Sequence, residues 1–290
     1  MSQQLQTLQS QTEQHSPSLR HRSQVQCNAS REASHSPRPA RVLLTNDDGP
    51  HSPFFQAWVP YVKNVLGWDC FVCLPADAQS FVSKSIGKGP IQVTDVDAGT
   101  VHIGGPPATC VNIGLYHLAP ECDFVVAGPN VGHNVGRGSV LSSGTIGAAM
   151  EGAIAGRRAV AISFPFFTGW NNWTQDDINK AVKIAADVTQ QLWQEWQAGI
   201  DLYNVNVPLG GKSVAGAPVD PAILRTTVDA ESSYTSLYAP EADSDGSYVW
   251  GPTGLKVFEG AEPVEGGDVA AIRAGNVSVT ALKAGFLSQT

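Results

Sequence analysis

Long apolar runs are missing from these 290 residues. None approaches the roughly 20 consecutive apolar residues that a bilayer-spanning helix requires, so the chain reads as soluble, without a membrane partner. Positive charge is scarce as well: 18 Lys and Arg stand against 26 Asp and Glu, a formal charge of −8. A surface that tracks a phosphate backbone needs clustered Lys and Arg, which argues against an extended nucleic acid as partner. A small phosphorylated ligand is still allowed, because a bound divalent cation supplies positive charge that the side chains lack. Paired cysteine is the third absence. Cys27, Cys70, Cys73, Cys110 and Cys122 are odd in number and scattered. Cys70 and Cys73 form a C-x-x-C, but Trp68 to Leu74 reads as a buried strand, and no second Cys pair or Cys/His pair stands at zinc spacing. The cysteines read as small buried hydrophobes of a protein in a reducing compartment.

What is present is a 42% hydrophobic share, enough for a substantial core, unevenly distributed. Residues 1–39 are rich in Gln and Ser, carry several His and Arg, and show no apolar periodicity. Such a segment cannot offset its ordering entropy by burial and is expected to be a disordered tail. It lacks the apolar stretch of a secretory signal. Its Arg- and Ser-rich, acid-poor character is shared with mitochondrial transit peptides, but its glutamines leave no clean basic face, which favours a variable tail on a cytoplasmic protein.

Folding signals begin at Arg41. Val42-Leu43-Leu44-Thr45 is a short apolar run ended by Asn46-Asp47-Asp48-Gly49, which predicts a buried strand that stops in a turn. Phe55 to Leu66 has helical spacing that Pro60 must distort or begin. Further strands are predicted at 70–74, 91–93, 101–103, 124–127 and 159–162, with helices at 108–117, 145–155 and 176–197. This alternation is that of an α/β, doubly wound, mostly parallel sheet, whose ligands bind beyond the carboxyl ends of the strands. From about Gly210 to Pro263, Gly, Pro, Ser and Asp surround isolated aromatics (Tyr234, Tyr238, Tyr248, Trp250). That stretch predicts an extended arm or hairpin suited to contact another subunit. Val277-Ser278-Val279-Thr280 predicts an alternating closing strand. The expected division is a tail over 1–39, an α/β catalytic domain over 40–209, and an arm with closing strand over 210–290 belonging to the same fold.

The chemistry concentrates in the turns that follow strands. Asp47 and Asp48 are adjacent, and the turn at Gly49 can bring both carboxylates to one side. Two close carboxylates repel unless a proton or a cation lies between them; their hard oxygens favour Mg²⁺ or Mn²⁺ over Zn²⁺. An ordinary Asx turn is the structural alternative. The Gly-rich stretch Gly128 to Gly138 follows a strand and offers Asn130 as a neutral oxygen ligand, but it is not G-x-G-x-x-G and fails the dinucleotide fingerprint. Ser142-Ser143-Gly144-Thr145 precedes a run of small residues; a helix starting there presents N–H groups to a phosphate, or is simply capped by Ser or Thr. Ser80 can add a hydroxyl ligand and Lys84 can neutralise phosphate. His51 and His133 stand near these loops as candidate proton donors.

Taken together these segments resemble the SurE (survival protein E) family of metal-dependent nucleotidases, its fungal members above all. The likeness runs from Arg41 to Leu282. It rests on N-D-D-G with His51 and Pro53 after it, the loop Pro75 to Ser80, Gly105 to Val111, G-x-N-x-G at Gly128 to Gly132, S-G-T at Ser143 to Thr145, N-x-N-V-P at Asn204 to Pro208, Trp250-Gly251-Pro252 and Gly267-Asp268. The resemblance implies a Rossmann-like domain with a projecting C-terminal hairpin or arm. It also implies assembly as a homodimer or homotetramer, and removal of phosphate from nucleoside monophosphates or other small phosphomonoesters. It puts Asp47, Asp48, Ser80 and Asn130 on metal-binding positions, and Asn46, Ser143, Gly144 and Thr145 beside the phosphate. Asn46, Asp47 and Asp48 are the implied catalytic residues. Phe54, Pro106, Thr109 and Gln79 depart from residues common in the family, which bears on substrate range more than on metal binding.

Two other readings are weighed. A haloacid-dehalogenase-type phosphatase needs D-x-D after the first strand, where this chain has Asn46-Asp47-Asp48. A catalytically silent nucleotide-binding protein of the same fold is disfavoured by the intact ligand set.

Overall fold

The run Val42–Thr45 is strand β1, buried along its whole length. It belongs to a computed structural model that describes residues 39, 41–167, 172–230, 236–241, 246–250 and 263–285; apart from Pro39, the tail expected over 1–39 lies outside them. β1 pairs in parallel with β2 (Cys70–Pro75) on one side and β5 (Phe124–Val131) on the other. Successive strand residues face opposite ways. Val42 and Leu44 therefore join one core with helices α1 (Pro53–Asn64) and α5 (Gln175–Gln194), while Leu43 joins a second core with α2 (Pro107–Ile113) and α4 (Gly144–Ile154). Burial on both faces is why β1 reads as a continuous apolar run rather than an alternating one.

The sheet continues through β4 (Thr100–Ile103) and β3 (Val93–Asp97) beyond β2. Beyond β5 lie β6 (Arg158–Phe164), β7 (Leu202–Asn206), β11 (Val277–Leu282) and β8 (Ile223–Thr226), giving the order β3-β4-β2-β1-β5-β6-β7-β11-β8. Only β3 with β4 and β7 with β11 pair antiparallel. The chain leaves β1 to one side for β2 and later crosses to the other for β5. The crevice beyond the carboxyl ends of β1 and β5 is thus a topological switch point, where doubly wound sheets bind ligands. A separate hairpin pairs β9 (Tyr238–Pro240) with β10 (Tyr248–Trp250).

Several elements depart from the expectations. α1 begins at Pro53, whose fixed φ suits the first helical position, with Ser52 Oγ accepting from Phe55 N. Pro60 sits inside α1 without ending it; Pro60 and Gln56 are both exposed, so water can take the carbonyl that the missing N–H leaves. β3 starts at Val93, later than the predicted 91–93, and runs to Asp97 with mostly exposed residues; a solvated edge strand carries little apolar signal. The closing strand is not half exposed: Ser278 and Thr280 are as buried as Val277 and Val279, because β11 lies between β7 and β8. The Gly-rich stretch hides two structured pieces: Asn130 belongs to β5, and Gly136–Ser142 is a helix, α3. Helix α6 (Asp268–Arg273) was also unforeseen. Cys70, Cys73, Cys110 and Cys122 are free and buried. No helix among the described residues is long and apolar enough to cross a membrane.

Candidate metal and phosphate site

At the end of β1 the buried Asn46 donates through Nδ2 to Gly49 O (2.8 Å) and accepts Gly49 N at Oδ1 (3.1 Å). The side chain closes the turn as a second backbone would. Gly49 takes φ 78°, a region open to glycine. The sharp turn has one decisive effect. Asp47 and Asp48 would face opposite sides of a continuing strand, yet both line one cavity of about 350 Å³.

Asp47 is held from α4. Thr145 Oγ donates to Asp47 Oδ1 at 2.5 Å, and Thr145 N donates to Asp47 Oδ2 at 3.1 Å. The approach is close enough to require glycine next door: a Cβ on Gly144 would stand 2.9 Å from Gln79 O and 3.0 Å from Asp47 Cβ. Asp48 Oδ2 accepts from Val131 N at 2.8 Å. Burial pushes the Asp47 carboxyl up to about 6 against the donors from Thr145. Burial and the neighbouring Asp47 push Asp48 up to about 7. Burial and mutual repulsion thus both favour the protonated form of the pair unless a cation lies between the two acids.

The loop after β2 is sewn to both partners. Gln79 N donates to Asp47 O (2.6 Å), and Ser83 N donates to Ser142 O at the end of α3 (2.9 Å). That places Ser80 and Phe81 on the cavity wall. Lys84 is turned elsewhere: its Nζ pairs with the buried Glu151 at 2.5 Å, and Glu151 also accepts from Asn112 Nδ2. It does not line the cavity, which corrects the expectation that it neutralises phosphate.

From β5, Asn130 lines the cavity and donates its Nδ2 to Gly132 O (3.3 Å). That engages one of the two amide N–H donors and turns the nitrogen toward Gly132, and the carbonyl oxygen is the ligand-capable end. Asn134 is fixed from β6 and β7. Its N donates to Asn206 Oδ1, its Nδ2 to Ser163 Oγ, and its carbonyl accepts from Asn204 and Asn206. The N-x-N motif therefore serves as a clamp on the cavity loop. Asp268, fully buried, accepts Gly136 N, Asp229 N and its neighbour's N, tying the start of α3 to the C-terminal segment. Burial pulls His133 down to about 4, so the imidazole on the cavity wall is neutral near pH 7. His51 is exposed and off the wall.

The start of α4 is more occupied than an open phosphate cradle. Ser143 N donates to Ser139 O, Thr145 N to Asp47, and Ile146 N to Ser143 Oγ. Among the described residues only the Gly144 N–H of this first turn is left for a ligand, together with the Ser143 hydroxyl hydrogen. Asp47, Asp48, Ser80, Asn130 and Ser143 therefore share one wall, while Asn46, Gly144 and Thr145 stand directly behind it. Sequence reasoning missed Asn134, Ser139, Phe81 and Phe166 on the wall. It had quoted Asp268 and the N-x-N motif without a role. No group of three or more His, Cys, Asp or Glu among the described residues is placed to hold a metal. The donor set here is instead two carboxylates, a hydroxyl and an amide. All are hard oxygens, and a divalent cation would offset the repulsion between the two buried carboxylates; the residues fit Mg²⁺ or Mn²⁺ chemistry.

Residues 42–229 match the family model "Survival protein SurE". The chain is 32% identical over 254 residues to a 5′-nucleotidase SurE of Archaeoglobus fulgidus, covering 84% of this chain and 91% of that one. A probable tubulin–tyrosine ligase of Saccharomyces cerevisiae is 31% identical over 268 residues, which are 73% of this chain; the match spans only 36% of the yeast protein's length. Among solved structures, the SurE protein from Aquifex aeolicus superposes with a TM-score of 0.67 at 25% identity, over 85% of this chain and 94% of that chain.

Proposed function

The chain belongs to the SurE family, and on that premise we propose that it is a metal-dependent phosphomonoesterase that hydrolyses nucleoside monophosphates to nucleoside and phosphate. One observation carries the reading: Asp47 and Asp48, adjacent in sequence and buried, open on one cavity at the switch point of the sheet with Ser80 and Asn130 beside them. In this reading those four side chains hold Mg²⁺ or Mn²⁺. When bound, the cation neutralises the acid pair and polarises a phosphoryl oxygen.

The chain's own groups do the rest. Thr145 engages both oxygens of Asp47 and fixes it as a ligand rather than a mobile nucleophile, which disfavours an aspartyl-phosphate route. Asp48, anchored through Oδ2 by Val131 N, keeps its other oxygen for the proton of an attacking water. The water oxygen bonds to phosphorus, the ester P–O bond breaks, and the alkoxide leaves and takes up a proton. The Ser143 hydroxyl, on the cavity wall, is the group of this helix start placed to meet the charge that develops on the phosphoryl oxygens, since phosphoryl transfer depends mainly on positioning and charge. Asn46 acts by holding the turn that aims both acids.

The free buried cysteines fit the cytoplasm as the compartment. The segment from about residue 210 onward, with its exposed hairpin, is the part we assign to homodimer or homotetramer contacts. The test of function is phosphate release from a panel of nucleoside monophosphates after chelation and re-addition of single metals. Release restored by Mg²⁺ or Mn²⁺ is expected. Thermal stabilisation by nucleotides with no release under any metal would replace this reading with a silent nucleotide-binding protein.

A further inference from the structure

Phe81 is an aromatic residue in a place that suits glycine. It follows Ser80 on the cavity wall, and its backbone takes φ 60°, a left-handed conformation that residues with a Cβ adopt at a cost. Strain of this kind in a bulky side chain clusters at ligand sites. The ring gains little burial in return. Phe54, Phe55, Phe124 and Phe164 are at most 3% exposed, whereas Phe81 is 42% exposed.

The ring is not alone. Trp250 from β10 meets it in a T-shaped contact, with centroids 4.7 Å apart and planes at 63°. Tyr238 from β9 meets Trp250 at 5.7 Å and 90°. Such contacts fix ring orientation and occupy at most one face of a ring, and Phe81 and Trp250 keep 42% and 44% of their surface exposed. The cavity is thus lined both by hard oxygen donors and by an oriented aromatic ring. Its volume of about 350 Å³ falls within the range of about 300–1,000 Å³ usual for small-molecule sites.

We propose that Phe81, held in a T-shaped contact by Trp250, is the stacking surface that takes the planar base of a nucleoside monophosphate whose phosphate lies at Asp47 and Asp48. The inference rests on the phosphomonoesterase reading and names the part of the substrate that this wall selects. Any base presents a π face, so Phe81 sets a preference for base-bearing esters over baseless ones rather than for one base.

The test compares kcat/KM for adenosine 5′-monophosphate and for ribose 5-phosphate, which carry the same phosphate on the same sugar, in the full-length chain. In Phe81→Leu, bulky but without a π face, the ratio of the two should fall about tenfold, the size of one base–aromatic contact. Phe81→Trp should keep the ratio, and Trp250→Ala should lower it by a smaller factor. A ratio within twofold of the parent in Phe81→Leu overturns the proposal, as does an equal loss for both esters. A change of association state in Trp250→Ala with the Phe81→Leu ratio intact also overturns it and assigns the aromatics to a subunit contact. If the parent chain releases phosphate from neither ester, the phosphomonoesterase reading itself has failed, and the stacking proposal with it.

Discussion

Thr145 holds Asp47 twice, by its hydroxyl at 2.5 Å and by its backbone N–H at 3.1 Å. Both donors stabilise the carboxylate against the burial that disfavours it. Thr145→Val keeps the shape and removes the hydroxyl. It should cost about 1–3 kcal/mol of stability in the presence of metal and move the acid limb of the pH–rate profile to higher pH. Thr145→Ser should restore both. An unmoved acid limb in Thr145→Val would show that this contact does not tune the acid.

Asp47→Asn should lower kcat/KM by about a thousandfold or more and abolish tight metal binding. It removes one of two like charges, so the metal-free variant should melt no lower than the parent. Phosphate release, calorimetric metal titration and a thermal scan measure the three. Turnover near the parent level would reject Asp47 as a ligand.

Unfolded Asp titrates near 3.9, whereas folding raises Asp47 to about 6 and Asp48 to about 7. Between those values the folded chain retains protons that the unfolded chain has released. The pair's contribution to stability is therefore greatest below about pH 4 and is lost as pH rises to about 7. Relative to Asp47→Asn/Asp48→Asn, the metal-free parent should lose about 5 °C of Tm between pH 5 and pH 8. Saturating Mg²⁺ should shrink that loss. A Tm difference that is flat in pH would mean that folding does not raise the titration of these acids.

Gly144→Ala tests the close approach of α4 to the acids. The added Cβ meets the Gln79 carbonyl and the Asp47 side chain at 2.9–3.1 Å, and backbone cannot yield as a flexible side chain can. About 1–3 kcal/mol of destabilisation is expected, with activity falling more than the fraction folded. Unchanged kinetics would mean that α4 moves freely away from Asp47.

Lys84→Met separates structure from phosphate binding. Glu151 would keep Asn112 but lose its cation while buried. A stability loss of about 1–3 kcal/mol follows, with KM for a nucleoside monophosphate within threefold of the parent. A tenfold rise in KM at constant stability would return Lys84 to the phosphate.

Much of the fold was legible because its inner strands are buried on both faces. Val42–Thr45, Phe124–Ala127 and Ala159–Ile162 carry apolar runs that solvent-facing strands do not. β8 escaped and β3 was placed too early because their residues are mostly exposed and held by pairing rather than by a core. α3 escaped because Gly136 and Gly138 argue against a helix. Asp268, 132 residues away, accepts the N–H of Gly136 at the start of that helix, and no local pattern reveals a partner so distant. In the site, Asp47, Asp48 and Ser80 could be singled out because they follow strands, where ligands gather in such sheets, whereas Asn130, expected in a Gly-rich loop, lies within β5. The division of labour among Asn46, Gly144 and Thr145 was not legible, since it depends on where two helices stop. Phe81 left only a faint signal: a bulky residue in a loop beside a serine.

Diffraction from crystals soaked in manganese, collected at its absorption edge, tests the central claim most directly. The account predicts one strong anomalous peak within coordination distance of Asp47, Asp48, Ser80 and Asn130, lost in Asp47→Asn. An active, manganese-saturated protein with no peak at those four residues, or with its peak elsewhere, would contradict it.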